Sequence, residues 1–252
     1  MIFPDDFVDK LIVGDCLEIM KQIPDDTIDL IVTSPPYNKH ATQKRRASPT
    51  ASWKTYQIDY GYFKDDMPEQ EYQEWQKKVL REAVRIIKPT GSICYNHKNR
   101  SVNNKLITPF EWLLEFNIRQ VIIWDRGSTH ILSNDRWYPT TEYIFWITKP
   151  NGKPKYFRRG KYLKEVWNIS FQGEVKNLHP APFPYAIPEQ CILSLTEEGD
   201  IVLDPFNGSG TTTLAARNLN RHYIGIDINP EFVEMARARM QDGDLFMEVS
   251  NG

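Results

Sequence analysis

Ile201-Val-Leu-Asp-Pro-Phe-Asn-Gly-Ser-Gly-Thr-Thr212 is the stretch whose reading decides the fold. A short apolar run ends in Asp204, Gly208 and Gly210 supply a turn, and a helix starts at Thr211. Such a turn cradles a nucleotide-like ligand, because glycines let the backbone come close and the carboxyl ends of strands are where open α/β sheets bind ligands. The helix Thr211 to Leu219 leads into a second strand, His222-Tyr-Ile-Gly-Ile-Asp227, so another carboxylate stands 19 residues after Gly208, where a ribose would present its hydroxyls. A plain strand-to-helix turn is the bland alternative. An NAD fingerprint fits less well, since Thr213 replaces its third glycine and Asp204-Pro205-Phe206 intrudes before the turn. The loop holds no lysine, so a phosphate-binding P-loop is not supported.

Outward from this unit, short apolar runs alternate with amphipathic stretches. That is the pattern of a doubly wound, mainly parallel α/β sheet of the Rossmann-like kind. Strands are expected at Lys10 to Val13, Asp29 to Thr33, Ser92 to Asn96, Gln120 to Trp124, Tyr143 to Thr148, Ile201 to Asp204 and Tyr223 to Asp227. Tyr72, Trp75, Val79, Ala83 and Ile86 form one helical stripe that stops before Pro89-Thr90-Gly91. Another helix opens at Pro230 and carries Phe232, Ala236 and Met240 on one face. Two stretches, 38–68 and 149–184, escape the alternation and read as loops or insertions.

A chain of 252 residues with 40% hydrophobic and 25% charged side chains is neither disordered nor fibrous, and it is large enough to need no disulfide staples. Cys16, Cys94 and Cys191 lie far apart, which argues against a disulfide framework or a structural zinc site, and no metal is expected. The absence of a long apolar run and of a signal-like N-terminus gives the expectation of a cytoplasmic protein with no membrane partner. A net charge of -2 hides two basic segments: 39–58, with Lys39, Lys44, Arg45, Arg46 and Lys54, and 149–164, with Lys149, Lys153, Lys155, Arg158, Arg159, Lys161 and Lys164. Neither segment contains an acidic residue.

The second constellation is Asp29-Leu-Ile-Val-Thr-Ser-Pro-Pro-Tyr37, a buried strand ending in a rigid corner. Pro35 and Pro36 fix φ and donate no N–H, leaving carbonyls as acceptors beside Ser34 and the flat face of Tyr37. Together the two constellations resemble the S-adenosylmethionine-dependent DNA amino-methyltransferases, whose motifs are [DNS]-P-P-[YFW] and D-P-F-x-G-x-G-T. The order, with Ser34-Pro-Pro-Tyr37 first and Asp204-Pro-Phe-x-Gly-x-Gly-Thr211 last, is the circularly permuted order of that family's beta class. Val13-Gly-Asp-Cys16, Gly91-Ser92, Thr141-Glu-Tyr-Ile-Phe-Trp146 and His179-Pro-Ala-Pro-Phe-Pro184 are similar to the family too.

The resemblance implies S-adenosylmethionine as cofactor, held by Asp204, Pro205, Phe206, Gly208, Ser209, Gly210 and Thr211 around its methionine end and by Asp227 at its ribose. Asp15 is implied near the adenine, and His179 and Pro180 at the methionine end. It implies double-stranded DNA as substrate, with Ser34, Pro35, Pro36 and Tyr37 catalytic. It also divides the chain into a catalytic domain of 1–148 and 179–252, a target-recognition segment of 149–178, and a mobile DNA-facing loop of 38–68. Lys44, Arg45, Arg46, Lys155, Arg158 and Arg159 become the DNA-binding candidates. Serine in the first position of the tetrapeptide goes mostly with cytosine N4, so that atom is expected, with adenine N6 as the alternative. A homodimer and a cognate restriction endonuclease are the further partners that the resemblance suggests. A non-catalytic DNA-binding module and an NAD-dependent oxidoreductase stay open as rivals.

Overall fold

The computed structural model describes residues 1–38, 65–102, 105–129, 137–170 and 184–241. Its strands are β1 (Lys10–Val13), β2 (Ile28–Thr33), β3 (Ile87–His97), β4 (Arg100–Val102), β5 (Lys105–Ile107), β6 (Ile118–Asp125), β7 (Thr141–Ile147), β8 (Val166–Asn168), β9 (Ile201–Asp204) and β10 (His222–Asp227). Helices are α1 (Cys16–Met20), α2 (Glu69–Ile86), α3 (Phe110–Leu113), α4 (Ala186–Leu195), α5 (Thr211–Asn218) and α6 (Pro230–Gln241). Eight of these strands make one sheet in the order β1-β10-β9-β2-β3-β7-β6-β8, and β4 and β5 pair as a small ribbon.

Strands β1, β10, β9, β2 and β3 run parallel, and β7 runs against both β3 and β6. A strand inside a covered parallel sheet is apolar on both faces, and β2 is buried at every position. Its side chains alternate between two cores. Ile31 joins Met20, Tyr72, Leu80 and Trp112 on the side of α1, α2 and α3, whereas Leu30 and Val32 join Ile187, Ile192 and Ala215 on the side of α4 and α5. The doubly wound α/β architecture expected from the alternation is the one observed. Strands β1 and β9 match their expected spans, β2, β3, β6 and β10 are longer than expected, β7 begins two residues earlier and stops one short, and β4, β5 and β8 are not among those expected.

Helix α2 follows from its stripe. Tyr72, Val79, Ala83 and Ile86 are buried, Glu69 and Glu71 sit in the first turn, and Arg85 closes the last. The chain turns extended at Ile87 and enters β3 well before Pro89, earlier than the proline alone implies.

Where it is described, the segment 149–178 expected as the recognition insert packs along the sheet. Lys153 and Lys155 donate backbone hydrogen bonds to Pro89 O and Thr90 O at the start of β3, Phe157 donates to Ser194 O in the last turn of α4, and 166–168 then adds β8 beside β6. This stretch is built onto the catalytic sheet rather than set apart from it. Residues 171–178, and 39–64 of the loop expected at 38–68, lie outside the described residues.

Gly210 begins α5 in the left-handed region at φ 80°, and a Cβ placed there would lie 2.8 Å from Ala236 Cβ of α6. It is therefore a packing glycine between two helices. Gly210→Ala should lower unfolding stability by about 2 kcal/mol or more, from the backbone strain and the forced separation of α5 and α6. Urea unfolding checks this, and an unchanged midpoint would contradict it.

Candidate active site

Neighbouring strands β1, β10, β9 and β2 end on the same edge of the sheet, and the residues that follow them line one cleft of about 710 Å³. Gly14, Asp15 and Cys16 come after β1, Asp227 and Ile228 close β10, Pro205, Phe206 and Gly208 follow β9, and Ser34, Pro35, Pro36 and Tyr37 follow β2. Parallel strands make this convergence possible, because every carboxyl end faces the same way. The two motifs, remote in sequence, thus share a cavity.

Asp227 holds the glycine turn as well as facing the cleft. Its Oδ2 accepts from Gly208 N–H at 2.8 Å and its Oδ1 from Asn229 N–H at 2.9 Å, while burial pushes its carboxyl above the usual value. Each oxygen keeps a lone pair for a ligand hydroxyl. Asp15 caps α1 by accepting from Leu17 N–H and Glu18 N–H. Burial holds the Cys16 thiol protonated, so it offers the cleft apolar surface and no thiolate.

The cleft fits S-adenosylmethionine on chemical grounds. It sets carboxylates of Asp15 and Asp227 beside apolar Ile228, Phe232 and Phe206, and those carboxylates suit a ligand with ribose hydroxyls and a cationic centre.

Four residues expected to touch the cofactor are absent from the lining of the cleft and make contacts within the fold. Asp204 is 2% exposed, and its Oδ1 accepts from Thr33 Oγ1 at 2.7 Å and from Phe206 N–H at 3.0 Å. Ser209 and Thr211 receive the Arg239 guanidinium of α6, at Ser209 O, Ser209 Oγ and Thr211 Oγ1. Gly210 faces Ala236, so its missing side chain spares a helix contact rather than ligand space. These four shape the turn that presents Pro205, Phe206 and Gly208. His179 and Pro180 lie outside the described residues.

The catalytic corner is anchored from α2 and β3. Pro36 O accepts from Tyr72 Oη at 2.7 Å, and Tyr72 Oη also meets His97 Nε2 at 2.8 Å. Tyr37 is only 6% exposed, its ring lies 4.8 Å from that of His97, and Lys98 Nζ sits 4.9 Å from its centroid. Its hydroxyl is 2.6 Å from Ser34 Oγ and bonds to Asn96 and Glu142. Asn38 N–H donates to Asp65 Oδ1 at 2.6 Å, so the two ends of the intervening loop meet beside Tyr37.

Trp75, Ile228 and Phe232 line the cleft without having been singled out as site residues. Trp75 was assigned to the core by its helical spacing, yet it packs edge-on against Phe206 at 5.6 Å with part of its surface open. Periodicity identifies the inward face of a helix and cannot tell core from cleft.

Of the DNA-binding candidates, Lys155 is engaged in ion pairs within the protein. Its Nζ pairs with Asp200 at 2.7 Å, Glu197 at 3.4 Å and Asp29 at 3.9 Å, all at the opposite edge of the sheet. Thr90, which bonds its backbone, is seven residues of strand from His97, roughly 20 Å. Arg158 and Arg159 adjoin the same edge, where Phe157 bonds Ser194 and the Arg159 guanidinium lies 4.3 Å from the Phe157 ring. The structure therefore separates all three from the catalytic corner. Lys44, Arg45 and Arg46 lie outside the described residues.

Burial lifts the Asp204 carboxyl from 3.8 to about 6, against the opposing hydrogen bonds from Thr33 and Phe206. A carboxyl raised in the folded state stabilises the fold while protonated, and that contribution is lost as pH rises through about 6. Relative to the native chain, Asp204→Asn should therefore gain on the order of 2 kcal/mol between pH 4 and pH 7.5. Denaturant unfolding of both proteins at each pH measures this, and a pH-independent difference would overturn the assignment.

A family model described as a DNA methylase, of the N6/N4 type, matches residues 28–238. Type II methyltransferase M.BglII of Bacillus subtilis is 32% identical over 272 residues, spanning 93% of this chain and 69% of that protein. Type II methyltransferase M.HpaI of Haemophilus parainfluenzae is 32% identical over 251 residues, spanning 92% and 74%. Among solved structures, PvuII DNA methyltransferase (cytosine-N4-specific) has a TM-score of 0.73 at 23% identity, covering 91% of this chain and 85% of that one. The M1.HpyAVI–SAM complex has a TM-score of 0.59 at 25% identity, covering 92% and 98%. With its two motifs converging on one cleft and a family match across most of its length, the chain belongs to the N6/N4 DNA methylase family, S-adenosylmethionine-dependent enzymes that methylate an exocyclic amine of DNA.

Proposed function

We propose that the chain methylates the N4 amine of cytosine in duplex DNA, with the target base turned out of the helix into the cleft beside Ser34. The observation that carries this reading is the shared cavity, in which Ser34 and Tyr37 face the same space as Asp227 and Phe206. Serine in the first position of the tetrapeptide supports cytosine over adenine. The Type II designation of the relatives supports a place in a restriction-modification system, beside a cognate endonuclease.

Bound S-adenosylmethionine supplies an electrophilic methyl group on a sulfonium. The residues of this chain prepare the nitrogen that receives it. An exocyclic amine of a paired base is buried and its lone pair is delocalised into the ring, so the base leaves the stack before reacting. Ser34 Oγ and the Pro35 carbonyl accept the two amine hydrogens, which draws the lone pair onto nitrogen and aims it. Tyr72 holds Pro36 O, and so keeps the corner rigid without occupying Pro35 O. Phe206 and Trp75 wall the cleft and exclude water.

Duplex DNA is proposed to lie along this sheet edge, where Lys98 and Arg126 stand. Lys44, Arg45 and Arg46, outside the described residues, are proposed as phosphate contacts on the strength of their charge.

Mass spectrometry of nucleosides from DNA incubated with the protein and methyl-labelled cofactor tests the reading. Labelled N4-methylcytosine is expected. N6-methyladenine would move the target to adenine, and the absence of any labelled base would overturn the function. Ser34→Ala should lower the single-turnover rate by about 10–100-fold while cofactor affinity stays within about twofold, because Ser34 acts on the base. Equal loss of both would remove Ser34 from the catalytic role.

A further inference from the structure

Glu142, the second residue of β7, carries a buried carboxylate with its two oxygens put to separate uses. Oε1 faces two cations, Arg126 Nη1 at 3.4 Å and Lys98 Nζ at 3.6 Å. Oε2 accepts from Asn96 Nδ2 at 3.1 Å and from Tyr37 Oη at 3.2 Å. Glu142 lies outside the tetrapeptide, outside the cofactor turn and outside the residues lining the cleft.

The Tyr37–Glu142 contact is a hydrogen bond only with the Tyr37 proton on it, and that choice orders the other hydroxyls of the corner. Asn96 Nδ2 donates to Tyr37 Oη at 2.7 Å, and its amide cannot be reversed without setting its oxygen against the Glu142 carboxylate. A carboxylate only accepts, so Tyr37 spends its single proton on Glu142. Tyr37 Oη is then an acceptor toward Ser34, 2.6 Å away, and Ser34 must donate its own proton to Tyr37. Ser34 Oγ is left with lone pairs alone to present to the cleft.

We propose that Glu142 is a positioning residue that fixes the proton order Ser34 to Tyr37 to Glu142, so that Ser34 Oγ meets the target base only as an acceptor. An acceptor at that point selects an amino group, which has hydrogens to give, over a carbonyl oxygen in the same position. The role of Tyr37 extends accordingly. Its ring alone would make phenylalanine an adequate replacement, whereas its hydroxyl is the middle of the chain. The inference rests on the methyl-transfer reading of this cleft.

Glu142→Gln keeps the shape of the side chain but can offer an N–H to Tyr37, which allows the whole chain to reverse. Its single-turnover rate should fall by about 10–100-fold with cofactor affinity nearly unchanged in a protein that remains folded. In a Tyr37→Phe background the same substitution should add little further loss, since the link it acts through is gone. Binding without cofactor gives a readout independent of turnover. Duplexes carrying the target base or its keto counterpart (uracil for cytosine, hypoxanthine for adenine) are compared on both proteins, so that any ease of flipping due to the mismatch is common to each. The native protein should favour the amino base, and Glu142→Gln should reduce that preference by about tenfold. Equal losses in the two backgrounds, or an unchanged amino-to-keto ratio, would overturn the proposal. If Glu142→Gln does not fold, Tyr37→Phe alone should reduce the same ratio, and an unchanged ratio there would overturn the proposal as well. A native protein that methylates no base defeats the functional reading instead, so the two failures are distinct.

Discussion

A 2.7 Å hydrogen bond from Thr33 Oγ1 to Asp204 Oδ1 joins two points 171 residues apart in the chain and sets the register of the site. Thr33 is the last residue of β2 and Asp204 the last of β9, and these strands are neighbours in the sheet through the pairs Leu30 with Val202 and Ile31 with Leu203. The next residue after Thr33 is Ser34, proposed to act on the target base, and the next after Asp204 opens the glycine turn. One buried carboxylate thus holds the Ser34–Tyr37 corner against the glycine turn. Its Oδ1 also accepts from Phe206 N–H, which bends the chain sharply into the turn. The cost is a charge inside the protein, visible as a carboxyl lifted to about 6.

The remaining polar groups follow the same logic of buried groups answered by long-range partners. Asp227 supports the turn from β10 through Gly208. Arg239 closes it from α6 through Ser209 and Thr211. Glu142 orders the hydroxyls of the catalytic corner and is itself balanced by Lys98 and Arg126. An unmet buried charge would cost several kcal/mol, so each of these carboxylates fixes the position of whatever neutralises it.

The parts of this arrangement that depend on local chemistry were legible in the residues themselves. The apolar runs of β1, β2, β9 and β10, the turn at Gly208 and Gly210, and the corner Ser34 to Tyr37 were all readable as strand ends bearing polar groups, and they do meet in one cleft. What could not be read was the direction in which a side chain spends itself. Lys155 belongs to a basic run, yet Asp200, Glu197 and Asp29 arrive from distant parts of the chain and neutralise it. Asp204, Ser209, Gly210 and Thr211 belong to a ligand motif, and each is also tied to distant parts of the fold, at Thr33, Arg239 and Ala236. Trp75 keeps core spacing and faces the cleft. Glu142 stood in a stretch similar to the family with no role attached, and only the pairing of β7 with β3 brings it to Tyr37. Each of these outcomes is decided by contacts between residues far apart in sequence.

Thr33→Val removes the hydroxyl that ties the two strand ends while preserving the shape of the side chain, and neither Thr33 nor Asp204 lines the cleft. Cofactor affinity and single-turnover methyl transfer, measured together on this variant by titration calorimetry and rapid quench, therefore test whether the bond sets the site. Both should fall, each by about tenfold, in a protein that remains folded. A folded Thr33→Val protein with native affinity and native rate would contradict the account.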